Sequence, residues 1–167
     1  MRLLPLLLLL LLALAAGAAG GGTDADAGAL LAAKAALSDP TGALASWNAT
    51  SSPDHCAWAG VTCSDAGVVV GLDVSRLNLS GALPPALARL RGLQRLSVAA
   101  NAFCGPIPPA LARLQQLLHL NLSNNAFNGS FPPALARLRG LRVLDLYNNN
   151  LTSATLPLEV TQMPMLR

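Results

Sequence analysis

One heptapeptide, ProProAlaLeuAlaArgLeu, occurs three times in this chain, at Pro84–Leu90, Pro108–Leu114 and Pro132–Leu138. Each copy follows the last by 24 residues, and the same step relates Leu93, Leu117 and Leu141; Leu96, Leu120 and Leu144; Val98, Leu122 and Leu146; Asn101, Asn125 and Asn149; and Gly81, Gly105 and Gly129. A unit this short cannot bury its own apolar face. Such units are stable only when they stack, so the repeat demands an elongated array in place of a single folded-back core. The composition fits: 53% of the 167 residues are hydrophobic and only 11% are charged, against about 25% charged in an average globular chain. Aromatics make up 4% while leucine alone supplies 37 residues, so rows of leucine are expected to organise the core.

The period and the pattern L-x-x-L-x-L-x-x-N mark leucine-rich repeats. In L-x-L the two apolar residues share one face of a short strand. Leu96/Val98, Leu120/Leu122 and Leu144/Leu146 are therefore expected to point inward. The Asn that follows turns the chain, and its amide can bond backbone groups that no strand partner reaches. Asn101, Asn125 and Asn149 should form a buried ladder, and AlaLeuAlaArgLeu a short helical or irregular return on the convex side. The fold class expected is an α/β solenoid of leucine-rich repeats with a 24-residue period and an N-terminal helical, disulfide-bonded cap. Four repeats are counted at 69–92, 93–116, 117–140 and 141–165, with a fifth cut off at Arg167. The first is atypical, with Leu77 where Asn is expected.

Residues 1–22 have a basic Arg2, a 12-residue apolar run from Leu3 to Leu14, and small residues with A-x-A spacing. That is the layout of a cleaved secretory leader, since a membrane span needs about 20 apolar residues. The mature chain is expected in the secretory pathway, extracellular or on the outer side of the plasma membrane, with no membrane span of its own. Residues 23–68 read as the polar cap that covers the open end of the array. It has a helix with acids expected in its first turn, a stop at AspProThrGly (39–42), and both tryptophans, Trp47 and Trp58. Cys56 and Cys63, close together in a secreted chain, read as a disulfide. His55 beside them does not complete a metal set, because structural zinc takes four ligands; no metal and no cofactor is expected. Cys104 is left over, a free thiol or an intermolecular link.

LeuAlaSerTrpAsn, CysAlaTrpAlaGlyValThrCys and the GlyProIlePro step at 105–108 resemble the plant leucine-rich repeat receptor-like kinase ectodomain. LeuAsnLeuSerGly (77–81), HisLeuAsnLeuSerAsnAsn (119–125), PheAsnGlySerPhePro (127–132) and ValLeuAspLeuTyrAsnAsnAsnLeuThr (143–152) are similar to the start of the BARELY ANY MERISTEM receptors, relatives of CLAVATA. The resemblance implies the ligand-recognition part of a plasma-membrane serine/threonine kinase that binds secreted CLE-type peptides and regulates meristem development. Family members bind their peptide mainly on later repeats, so this stretch is expected to hold the cap side of the groove.

The chain has no Gly-rich phosphate loop placed between a strand and a helix, no V-A-I-K, H-R-D or D-F-G set, and no G-x-S-x-G, so no enzymatic activity is assigned to it. The outward residues of each strand are the candidate binding face: Asp73 and Ser75; Arg95 and Ser97; His119, Asn121 and Ser123; Asp145 and Tyr147. A merely solvated strand face is the competing reading. The partners expected are a secreted peptide, another leucine-rich repeat ectodomain acting as co-receptor, or both. Nucleic acid is not, because a net charge of +3 is too small and Arg89, Arg91, Arg113, Arg137 and Arg139 read as solubilising residues on the convex return. Asn48, Asn78, Asn121, Asn128 and Asn150 satisfy the N-x-[ST] rule for glycosylation, with a glycan at Asn121 expected to crowd the concave face. The rival functions are a stand-alone secreted inhibitor of the polygalacturonase-inhibitor type and a short co-receptor ectodomain.

Overall fold

A computed structural model describes residues 20–152, 158–161 and 163–167. The leader expected at 1–22 lies outside the described residues up to residue 19. Helix α1 (Gly20–Ala35) is rich in alanine, a strong helix former, and buries one stripe, Asp26, Ala29, Leu30 and Ala33, at the spacing of a single helix face. Because the helix starts at Gly20, its first turn holds no acid, contrary to expectation. Asp26 instead ties the cap to the array: the Val69 N–H donates to its carboxylate at 3.0 Å.

The rest of the cap is held by side chains that satisfy backbone groups. The N–H groups of Ala43 and Leu44 donate to the two carboxylate oxygens of Asp39 at 2.9 and 2.8 Å. Trp47 and Trp58 are buried, their rings stacked at 6.2 Å. Their indole N–H groups donate to the Ala59 and Ser52 carbonyls at 2.9 and 2.8 Å, so neither buried donor is left unpaired. A 3-10 turn, η1 (His55–Ala57), leads to strand β1 (Val61–Cys63), and the Cys56–Cys63 disulfide joins them. Removing that bond in Cys56→Ser/Cys63→Ser is expected to cost about 2–3 kcal/mol from loop-closure entropy alone. Urea denaturation checks it, and an unchanged midpoint would contradict it.

Four coils follow. Their first strands, β2 (Val69–Asp73), β4 (Arg95–Ser97), β6 (His119–Asn121) and β8 (Val143–Asp145), form a parallel sheet. Its register carries Gly71 onto Arg95, His119 and Val143, and Asp73 onto Ser97, Asn121 and Asp145. The repeat period is thus the sheet register. β1 pairs antiparallel with β2 and covers the amino-terminal edge of the sheet, where open N–H and C=O groups would otherwise invite another chain. On the convex side, 3-10 helices η2 (Pro85–Arg89), η3 (Pro109–Arg113) and η4 (Pro133–Arg137) form the returns. Proline suits their first position, where a helix has no partner for an N–H. The fourth coil returns through a short helix, α2 (Leu158–Thr161).

A second parallel sheet was not anticipated from the residues: β3 (Ser80–Ala82), β5 (Ala102–Pro106), β7 (Ala126–Gly129) and β9 (Asn150–Leu151). It lies between the first sheet and the returns along the chain. On its strands β5 and β7, Phe103 and Phe127 are fully buried with parallel rings 6.2 Å apart. Phe131 is buried as well. The leucine rows that organise the core are thus joined in it by all three phenylalanines of the chain. Each coil also places a left-handed non-glycine residue directly before the asparagine position, at Arg76, Ala100, Asn124 and Asn148.

The asparagine ladder forms, with its members half-buried and densely bonded. Asn125 Nδ2 donates to the carbonyls of Val98, Leu122 and Ser123 at 3.0–3.2 Å, and its Oδ1 accepts from the Phe103 N–H at 3.0 Å. Asn149 repeats this one coil on, bonding Leu122, Leu146 and Phe127. Asn101 accepts from both Leu77 and Leu79 N–H. It thereby serves the first coil, where Leu77 stands in the asparagine place.

Candidate recognition face

The outward residues of the first sheet form three rows. One runs Gly71, Arg95, His119 and Val143; the next Asp73, Ser97, Asn121 and Asp145. The third, by the same step, is Ser75, Ala99, Ser123 and Tyr147. The structure exposes Asp73, Arg95, His119 and Tyr147, the last by 75%, and half-buries Ser75, Ser97, Asn121 and Asp145. Ser123 lines the second groove of this face but is only 4% exposed, packed among its neighbours. Its N–H and hydroxyl both donate to Asn121 Oδ1, at 3.0 and 2.7 Å.

That local bond recurs. The Ser75 N–H donates to Asp73 and the Tyr147 N–H to Asp145, each at 3.0 Å. In three of the four strands the middle-row residue therefore caps the turn that ends the strand, which gives Asp73, Asn121 and Asp145 a structural task. The Ser75 and Ser97 hydroxyls lie 2.7 Å apart and join two coils.

The first row is different. Gly71 has no side chain, and a Cβ added there would come 3.2 Å from Thr62 Cβ and 3.8 Å from Arg95 Nη2. The missing side chain leaves a groove of about 320 Å³ lined by Thr62, Asp73, Arg95, Ser97, His119 and Val143. A second groove, about 590 Å³, lies beside it over Ser75, Arg76 and Asn124. Together they offer a guanidinium, an imidazole, a carboxylate and hydroxyls on a rigid sheet, a set suited to polar recognition. Several groove residues escaped the sequence reading, among them Gly71, Arg76, Asn124, Val143 and Thr62. Val143, 42% exposed, is the 24-residue successor of His119 and was legible from the period. Thr62 reaches the groove only through the β1–β2 pairing.

His55, Cys56 and Cys63 bring three possible metal-ligand atoms within 4.8 Å of one another. The two sulfurs are bonded to each other, and His55 Nε2 lies 3.2 Å from the Gly67 carbonyl oxygen. Cys104 is exposed and free on β5. Among the sequons, Asn48, Asn78, Asn128 and Asn150 are exposed, while Asn121 is half-buried with its carboxamide oxygen engaged as above. No helix among the described residues is long and apolar enough to cross a membrane.

Residues 23–64 match the leucine rich repeat N-terminal domain, and residues 91–151 and 140–163 match leucine rich repeat models. Among curated proteins, the chain is 51% identical over 82 residues to the brassinosteroid LRR receptor kinase BRL3 of Oryza sativa subsp. japonica. It is 43% identical over 79 residues to the probable inactive leucine-rich repeat receptor kinase XIAO of the same organism. Each match covers 47% of this chain and 7% of the relative's length. These receptors are of several kinds, and the matches do not single out the BARELY ANY MERISTEM type. Among solved structures, the chain is similar to the BIR2 ectodomain of Arabidopsis thaliana, with a TM-score of 0.80 at 35% identity, covering 84% of this chain and 76% of that one. It is also similar to PEPR1 in its complex with AtPEP1, with a TM-score of 0.78 at 36% identity over 86% of this chain and 20% of that one. The cap, the stacked parallel strands and these likenesses together place the chain in the family of plant leucine-rich repeat receptor-kinase ectodomains.

Proposed function

We propose that this chain is an extracellular recognition segment whose concave face contacts a secreted peptide or a second leucine-rich repeat ectodomain. The observation that carries the reading is the groove over Gly71, where Arg95 and His119 stand exposed on a sheet made rigid by the asparagine ladder. Similar ectodomains are described in complexes, PEPR1 with AtPEP1 and BIR3 with SERK2, and the curated relatives are receptor kinases. The finer reading, a CLE-type peptide signal in the meristem at the plasma membrane, rests on the sequence resemblance across residues 77–152. A second reading is a short co-receptor ectodomain; its support is the likeness to the structure of BIR3 in complex with SERK2.

The test is a titration of the chain, and of Arg95→Ala/His119→Ala, with a SERK-type ectodomain and separately with a synthetic CLE-type peptide. Binding of at least one is expected, with the double variant weaker by tenfold or more, about 1.4 kcal/mol. Ectodomain binding alone selects the second reading. Binding that the double variant leaves unchanged removes the groove from the function.

A further inference from the structure

We propose that the convex side of the array binds a linear acidic polysaccharide along its arginine rows. Arg89, Arg113 and Arg137 each close one of the returns η2, η3 and η4. Arg91 and Arg139 stand two residues further on in the first and third returns, with Gln115 between them. All five arginines are exposed. The returns stack directly, η2 on η3 and η3 on η4, and Arg91 Nη1 donates to the Arg113 carbonyl oxygen at 3.2 Å. Equivalent arginines are therefore one coil apart, in rows along the solenoid.

Charge separates this side from the sheet side. Residues 84–92, 108–116 and 132–140 contain no Asp or Glu, whereas the concave face mixes Asp73, Arg95 and Asp145. The next acid along the returns, Glu159, belongs to α2. A face that served only solubility would work as well with interspersed signs, and like charges in a row repel unless a polyanion lies over them. Beside the rows is an open groove of about 950 Å³ lined by Gln115, Pro133, Ala134, Arg137, Arg139 and Pro164. A polymer with a carboxylate on each sugar presents regularly spaced anions to regularly spaced guanidinium groups, which bind carboxylates through paired N–H donors. The three returns expose no large apolar side chain that could enter a lipid surface. They carry no aromatic residue on which a nucleic-acid base could stack.

The test measures binding of the whole chain to polygalacturonate and to its methyl-esterified form on a sensor surface. Binding to the free acid only is expected. If about three charges engage, at about 0.7 per contact, raising salt fourfold should weaken it roughly 20-fold. Arg89→Gln/Arg113→Gln/Arg137→Gln should lose tenfold or more. A variant with the same net charge, Lys34→Gln/Arg142→Gln/Arg167→Gln, should keep most of the affinity. Equal loss in both would reduce the effect to net charge and overturn the site. So would equal binding of the esterified polymer, no binding by the wild type, or tighter binding to phosphatidylserine vesicles or to single-stranded DNA. Thermal melts verify that both triple variants fold; should one not, the single substitutions Arg89→Gln, Arg113→Gln and Arg137→Gln are read in its place, each expected to weaken binding. Because the probes and residues differ from those of the concave face, failure here leaves that reading untouched, and the reverse also holds.

Discussion

Asn125→Ala is expected to destabilise the array by about 2–3 kcal/mol, a large loss for a single substitution. The asparagine meets four backbone groups drawn from two coils: the carbonyls of Val98, Leu122 and Ser123 and the N–H of Phe103. The three carbonyls also accept from Asn101, Asn149 and the Ala100 N–H. Alanine would remove one donor from each of them and the oxygen that accepts from the Phe103 N–H. Each backbone group stranded away from water costs about 1–3 kcal/mol, with partial relief because the site is half-buried. Asn125→Asp should rescue nothing, since a carboxylate oxygen would replace the donor in front of three carbonyl oxygens. Ser130→Ala, on an exposed residue, should stay within about 0.5 kcal/mol. Urea unfolding followed by circular dichroism reads all three. A loss below 1 kcal/mol for Asn125→Ala would mean that water replaces the amide and that the ladder is ornament.

Gly60→Ala is the second large effect, expected at about 3 kcal/mol or more. Gly60 has φ +75°, a left-handed backbone that costs an L side chain about 1–2 kcal/mol. In addition, a Cβ there would run into the carbonyl oxygen of Asp73. Neither backbone can step aside, because the Asp73 N–H donates to the Gly60 carbonyl at 2.8 Å and Asp73 is registered against Ser97. Gly42 separates the two contributions. It has φ +68° with open space where a Cβ would be, so Gly42→Ala carries the strain alone. Equal melting temperatures for the two variants would show that the collision relaxes freely. The Gly60 variant should also weaken recognition at the groove, because moving Asp73 moves its lining.

The strands, the returns and the asparagine positions were legible in the sequence for a physical reason. In a stacked array the contacts that matter link residue i to residue i+24, so a column in the sequence is a column in space. Leu96 over Leu120, Asn101 before Asn125 and Arg89 beside Arg113 need no knowledge of the remaining chain. The same rule extends to Val143 as the neighbour of His119. Local chemistry decides what the rule leaves open. Ser123 lines the concave side as alternation places it, yet its hydroxyl is drawn to Asn121 and little of it stays exposed. The second sheet was hidden because AlaPheCysGlyPro does not alternate as a strand should. Those strands exist because neighbouring coils hold them side by side.

The repeat period, and with it the solenoid, the register of the first sheet and the rows of leucine, asparagine and arginine, follows from the order of the residues. The cap does not. Asp26 meeting Val69, Thr62 entering the groove and Gly60 locking against Asp73 join unlike segments that no periodicity relates. Such contacts are fixed only when helix α1, β1 and the first coil pack together, because their partners are chosen by shape and by unsatisfied backbone groups.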